Sequence, residues 1–194
     1  MNEITRRVLI YGGAVAGAYG LLAGVQRVCL TAFADDDAKD DGRPVKIVKF
    51  ADDGTRLGTF TLPKVVKTAE EWKKQLGALE YEVTRRGDTE KAFTEKLYEQ
   101  HAPGLYRCGD CENALFDGRT EFDSGTGWPS FWEAIAQENV REIKNASFGT
   151  VRTEVRCTLC NAHLGHVFTD GPKPTGLRYC MNSAALRFIP RRKT

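Results

Sequence analysis

Cys157-Thr158-Leu159-Cys160-Asn161-Ala162-His163-Leu164-Gly165-His166-Val167-Phe168 joins a two-thiol turn to an apolar run that carries two of the chain's three histidines. A CxxC turn brings two sulfurs together, which is half of a tetrahedral metal site. The other half stands upstream, in Cys108-Gly109-Asp110-Cys111. The two turns are so far apart in sequence that they must come from separate hairpins, and a shared ion would tie two parts of one sheet system together. Four thiolates leave no open coordination position, so the pattern predicts one structural Zn²⁺ per chain on Cys108, Cys111, Cys157 and Cys160. Two alternatives stay open on these residues alone: disulfides, if the chain is exported, and a redox CxxC, which the absence of a thioredoxin-like βαβ pattern disfavours.

Of six cysteines, one further thiol lies near the N-terminus, Cys29, and one lies in Leu177-Arg178-Tyr179-Cys180-Met181-Asn182. In a strand over 177–183, Arg178, Cys180 and Asn182 share one face, and Tyr179, Met181 and Ser183 the other. The guanidinium favours a thiolate and so lowers the Cys180 pKa, and the asparagine offers a donor and an acceptor beside it. That pattern makes Cys180 a candidate nucleophile; a buried structural cysteine is the plainer alternative. His163 and His166 are candidates for delivering a proton near neutral pH, since the metal is already satisfied by sulfur. In a regular strand they face opposite ways, and both serve one site only if Gly165 bends the chain. Asp170 is expected to orient one imidazole. Trp128, held in Ser124-Gly125-Thr126-Gly127-Trp128-Pro129-Ser130-Phe131-Trp132, suits an aromatic wall against a small apolar group. Phe131 and Trp132 suit the core better.

The N-terminus reads as a leader. Arg6-Arg7 precedes a run without charge that reaches Gln26, and Ala32-Phe33-Ala34 offers a small-residue cleavage site. Paired arginines suggest the twin-arginine route, with export to a bacterial periplasm, or a membrane anchor if residues 1–34 are retained. The whole chain has 28 Lys and Arg against 26 Asp and Glu; residues 1–34 hold three arginines and one glutamate, so the remainder has 25 of each. Zero net charge removes the electrostatic footprint expected of a nucleic-acid binder. Residues 35–44 read as a solvated linker. Val45 to Phe50 and Leu57 to Leu62 alternate around Asp52-Asp53-Gly54, which predicts a β-hairpin at the edge with no chemistry of its own. Residues 35–64 are thus expected to form a linker and hairpin extension, and 65–190 the domain that holds the candidate site residues.

Within that domain, Thr68-Ala69-Glu70-Glu71 is a capping box that opens a short helix through Trp72 and Leu76. Tyr81 to Arg85 reads as a second helical turn, and Thr89 as the cap of another short helix. From Leu105 on, short apolar runs between Gly, Asp, Asn and Pro predict short antiparallel strands.

These motifs together, with Lys67-Thr68-Ala69-Glu70-Glu71-Trp72, Phe122-Asp123-Ser124 and Ser183-Ala184, resemble the methionine-R-sulfoxide reductase B family over about Val65 to Phe188. The resemblance implies a mainly β fold, a zinc-stapled β-tent of two antiparallel sheets with a few short helices at the N-terminal side. It implies that Cys180 attacks the sulfoxide sulfur and becomes a sulfenic acid. His166 would polarise the oxygen with Asn182 nearby, and Trp128 would receive the substrate methyl group. Arg178, His163 and Asp170 would shape the site. The implied substrate is methionine-R-sulfoxide, in oxidised proteins or free. Many relatives place a resolving cysteine where this chain has Thr126. With Cys29 in the leader, the expectation is a one-cysteine enzyme reduced by an external thiol, thioredoxin-like or glutathione-type. Two other functions compete on the residues: a zinc-ribbon binding module, which zero charge and the Arg-Cys-Asn pattern oppose, and a disulfide-stapled secreted domain, which leaves Cys180 without a purpose.

Overall fold

A computed structural model describes residues 42–147 and 150–191. The leader expected over 1–34, with Cys29, and most of the linker lie outside the described residues. Among those described, no helix is long and apolar enough to cross a membrane.

The Asp52-Asp53-Gly54 signal does reverse the chain: β1 (Val45–Phe50) pairs antiparallel with β2 (Arg56–Leu62). The hairpin is more than an edge decoration, because Ile47 and Val48 are buried. Fully buried Asn139 accepts from the Val48 N–H at 2.7 Å and donates to the carbonyls of Val48 and Ala114. One side-chain amide thus splices the hairpin to the body, which no short-range sequence pattern announces.

The capping box forms as read. Thr68 Oγ1 accepts from the Glu71 N–H, the Glu71 carboxylate accepts from the Thr68 N–H, and α1 (Ala69–Gln75) follows with Trp72 buried. The second helical turn is longer than expected, α2 (Ala78–Arg86), closed by Gly87 in the left-handed region at φ 72°. Glycine meets no Cβ penalty there. Thr89 caps no helix: residues 87–91 are irregular, and the next element is a 3-10 turn at Lys96–Glu99.

The body holds two antiparallel sheets. One runs β10-β3-β4, from β3 (Gly104–Cys108), β4 (Ala114–Asp117) and β10 (Leu186–Pro190). The other runs β5-β9-β8-β7-β6, from β5 (Ser130–Phe131), β6 (Val140–Ser147), β7 (Thr150–Cys157), β8 (His163–Phe168) and β9 (Arg178–Met181). The hairpin makes a third, two-stranded sheet. The fold is mainly β with its helices at the N-terminal side, as expected. Phe116 stacks on Phe131 at 4.4 Å between centroids, and Tyr106 and Tyr179 pack around them, all fully buried. Aromatic pairs of this kind add about 1 kcal/mol beyond area burial.

Candidate active site and metal centre

The two CxxC turns are built alike. In each, the residue after the second cysteine takes a positive φ, Glu112 at 64° and Asn161 at 65°, and its N–H donates to the carbonyl of the first cysteine at 2.9 Å. The first knuckle joins β3 to β4 and the second joins β7 to β8, so each belongs to a different sheet. Cys108 Sγ lies 3.6 Å from Cys160 Sγ, Cys111 Sγ lies 3.6 Å from Cys157 Sγ, and all four sulfurs fall within 4.8 Å of one another. Disulfides require about 2.05 Å, so these are free thiols. Tetrahedral Zn²⁺ with Zn–S of about 2.3 Å separates its sulfurs by about 3.8 Å. The donor set and spacing therefore fit such an ion, and the four cysteines could hold a metal.

Groups around the sulfurs are already oriented. Asn113 Nδ2 donates toward Cys157 Sγ at 3.6 Å, and Arg85 Nη2 toward Cys160 Sγ at 3.5 Å. Arg85 also donates to the Cys160 carbonyl and to Asp110 Oδ2. Burial pushes the Asp110 carboxyl up to about 6 even against the Arg85 charge.

Cys180 lies in the other sheet's cleft. Strand alternation puts Tyr179 and Met181 in the core at 1% and 0% exposure and leaves Arg178 and Cys180 half-buried. Register aligns one row across the sheet: Glu154 on β7, His166 on β8, Cys180 on β9 and Ser130 on β5. Directly opposed residues share a face, with Cβ atoms about 5 Å apart. Gly165 is needed in this row's backbone, because its φ is 153° and a Cβ would strike the Cys180 carbonyl oxygen. The bend expected at Gly165 is delivered by a bulge. Val155 pairs with Gly165 and Arg156 with His163, so Leu164 is the extra residue. The bulge restores His163 and His166 to one side, their rings 5.5 Å apart.

Three expectations need correction. Asp170 orients no imidazole; it takes Arg178 Nε and Nη2 at 2.9 and 2.8 Å, while that guanidinium lies 4.4 Å from the Phe168 ring centroid. Arg178 holds the Asp170 carboxyl below the usual range. The imidazole partner is Glu154: His163 Nδ1–H donates to Glu154 Oε1 at 2.7 Å, and Arg156 Nε donates to the same oxygen. Burial would raise the Glu154 carboxyl, but these bonds and charges overcome it and hold it down at about 2. Nor is the Cys180 thiol lowered overall. Burial pushes it up; the Thr126 hydroxyl, the Arg178 charge and the Ser130 hydroxyl oppose that push without cancelling it. Lastly, Asn182 is 3% exposed and already engaged, accepting from the Glu90 N–H at 3.2 Å and donating to the Leu164 carbonyl at 3.1 Å.

Thr126 Oγ1 stands 3.8 Å from Cys180 Sγ and continues through Ser124 Oγ at 2.8 Å to Ser130 Oγ at 2.7 Å. Trp128 is half-buried, and its indole N–H donates to the Glu90 carbonyl at 3.3 Å. Trp128, His166, Phe168, Cys180 and Asn182 line a cleft of about 240 Å³. Burial, then neighbouring His163, push the His166 imidazole below its ordinary value, so it is neutral at neutral pH. Sequence reading missed Glu90 and Glu154, since a lone glutamate carries no spacing signal; Glu154 stands opposite a histidine only through the register.

Fold and site together define a class: a domain of two antiparallel sheets, with a four-cysteine cluster that could hold a metal and a separate cysteine–histidine cleft. The chain belongs to the SelR domain family, whose model matches residues 76–190. It is 52% identical over 125 residues to the Thiobacillus denitrificans protein named peptide methionine sulfoxide reductase MsrB, covering 64% of this chain and 95% of that one. Proteins of the same name from Methylibium petroleiphilum and Pseudomonas aeruginosa are 52% and 47% identical over 129 and 130 residues, covering 66% and 67% of this chain and 94% and 98% of theirs.

Proposed function

We propose a mechanism by which this chain, a peptide-methionine (R)-S-oxide reductase, repairs methionine-R-sulfoxide in oxidised proteins. The observation that carries it is Cys180 directly opposite His166 in a cleft walled by Trp128. The substrate's methyl group packs on the Trp128 indole, which faces the sulfoxide sulfur toward Cys180. A raised thiol and a lowered imidazole mean that the resting pair is Cys–SH and neutral His166. The proton that leaves Cys180 is the one the sulfoxide oxygen needs, and His166 carries it, directly or through water. The thiolate attacks sulfur and forms an S–S bond; the protonated oxygen then passes from the substrate sulfur to Sγ as the S–O and S–S bonds break, so that methionine leaves and Cys180 becomes a sulfenic acid. The sulfoxide gains two electrons and Cys180 loses two. Glu154 fixes the His163 ring against His166, Arg178 held by Asp170 favours the thiolate, and Asn182 braces the strand that carries Cys180.

The sulfenic acid is then reduced by two equivalents of an external thiol, releasing a disulfide and water. Thr126 is the side chain beside Cys180 Sγ and has no thiol to offer, and the other four described cysteines are gathered in the metal centre. Zn²⁺ at that centre would bind the two sheets together through Cys108, Cys111, Cys157 and Cys160. The paired arginines and the uncharged run after them support export to a periplasm, where oxidised proteins are the substrate and a thioredoxin-like or glutathione-type thiol is the donor.

Turnover of separate R and S epimers with dithiothreitol tests the reading; reduction of the S epimer in preference to R would refute it. Treating the mature protein with one equivalent of substrate and counting thiols without reductant tests the recycling. A Cys180 sulfenic acid is expected, and an intramolecular disulfide would overturn the one-cysteine cycle.

A further inference from the structure

Glu90 is a buried carboxylate, 3% exposed, on the irregular segment after α2, and the steps above give it no part. Two of its partners, Asn182 and Trp128, line the cleft, and the other two follow Asn182 in the chain. Glu90 Oε1 accepts from the Ser183 N–H at 2.6 Å and Oε2 from the Ala184 N–H at 2.8 Å, the first two residues of the 3-10 turn that follows Asn182. Its own N–H donates to Asn182 Oδ1 and its carbonyl accepts from the Trp128 indole. One residue therefore meets two cleft-lining side chains through its main chain and, through its carboxylate, the turn that follows one of them. A carboxylate is suited to this because it is acceptor-only with two oxygens, and the two N–H groups it meets have no place in a strand ladder. Asn182 is held between Glu90 and the Leu164 carbonyl of β8, so its amide cannot rotate while Glu90 stays in place.

We propose that Glu90 is a positioning residue: through the 183–184 backbone it fixes the Asn182 amide and the end of the Cys180 strand relative to His166, and through its main chain it sets the Trp128 wall. This rests on the reductase reading above. A simple carboxamide does not reproduce it, because Gln keeps one acceptor and turns its NH₂ against the other N–H.

The test is a double-mutant cycle in the full chain with Glu90→Ala, Asn182→Ala and the pair, read as kcat and KM for methionine-R-sulfoxide with dithiothreitol. Each single variant is expected to lose about tenfold or more in kcat/KM. The double variant should be no worse than the weaker single by more than about twofold, because Glu90 acts through Asn182. Glu90→Gln should fall between wild type and Glu90→Ala. Iodoacetamide alkylation of Cys180 at fixed pH should change less than about threefold in Glu90→Ala, since Glu90 does not touch the sulfur. Losses that multiply in the double variant would overturn the proposal, as would Glu90→Ala turning over at the wild-type rate. Alkylation altered tenfold would do so too, marking a general packing role. If Glu90→Ala does not fold, the same cycle is run with Glu90→Gln and the same outcomes decide. Inactive wild type would instead refute the reductase reading, leaving the two failures distinct.

Discussion

Five described cysteines are divided between two regions, and the division is one of numbers and neighbours. At the metal centre, four sulfurs from two sheets lie within 4.8 Å of one another, behind backbone turns that repeat each other almost bond for bond. In the cleft, a single sulfur lies beside hydroxyls, a guanidinium and an imidazole row. A thiolate needs positive charge to persist. Four together can be served only by a shared cation, and they then become a staple. One alone, half-buried and facing Thr126 and Arg178, keeps its proton at rest and remains free to react. The two regions share one ribbon of structure, since β7 carries Glu154 opposite His166 and ends three residues later in Cys157.

The comparison breaks most sharply at the staple. Cys157→Ser should lose the metal and cooperative folding, because structural zinc sites contribute on the order of 10–16 kcal/mol in zinc-finger peptides. Metal content and thermal melting read this, and chelation of the wild type should lower its melting curve likewise; a variant that melts normally would mean the cluster is no staple. Cys180→Ser should do the reverse. Its metal content and melting stay as in wild type, while turnover of methionine-R-sulfoxide falls by at least about a thousandfold, as expected when a nucleophile is removed. Retained turnover would place the nucleophile elsewhere.

Glu154 tests the ribbon between the regions. Its folded carboxyl is held at about 2, below the ordinary 4.5, so its contribution to stability is complete above about pH 4.5. That contribution is lost as pH falls toward 2. Urea unfolding at pH 6 and pH 3 should show the wild type losing about 1–3 kcal/mol more than Glu154→Gln over that interval. Equal losses would detach Glu154 from the ion-pair role. The smallest effect concerns the hydroxyl beside the sulfur. Thr126→Val should raise the Cys180 pKa further, because a hydrogen bond that favours the thiolate is lost. Iodoacetamide alkylation against pH measures it; an unchanged profile would show that Thr126 does not assist the thiolate.

Local patterns carried much of the fold. The Thr68 capping box, the Asp-Gly turn and the 178–181 alternation each involve neighbours within a few positions, and each formed as read. The cysteine spacing carried the four-cysteine cluster for a similar reason, since a CxxC turn is itself a local geometry. What went unread spans long stretches. The Glu90 carboxylate is more than ninety positions from the N–H groups it holds, and Asn139 reaches back the same way to Val48. Asp170, expected to orient an imidazole, instead lies in the loop after β8 and accepts from Arg178.

By itself the sequence determined the chemistry available: four thiols in two knuckles, Cys180 apart from them, His163 and His166, and Trp128 in a loop between glycine and proline. Residue types and short-range backbone preferences fix those. Only the tertiary structure decided how the chemistry is set. The bulge at Leu164 brings both histidines to one side, the register sets His166 against Cys180, and burial outweighs Arg178 in raising the thiol. Strand registry and desolvation depend on what packs against a residue, and that is a property of the whole chain.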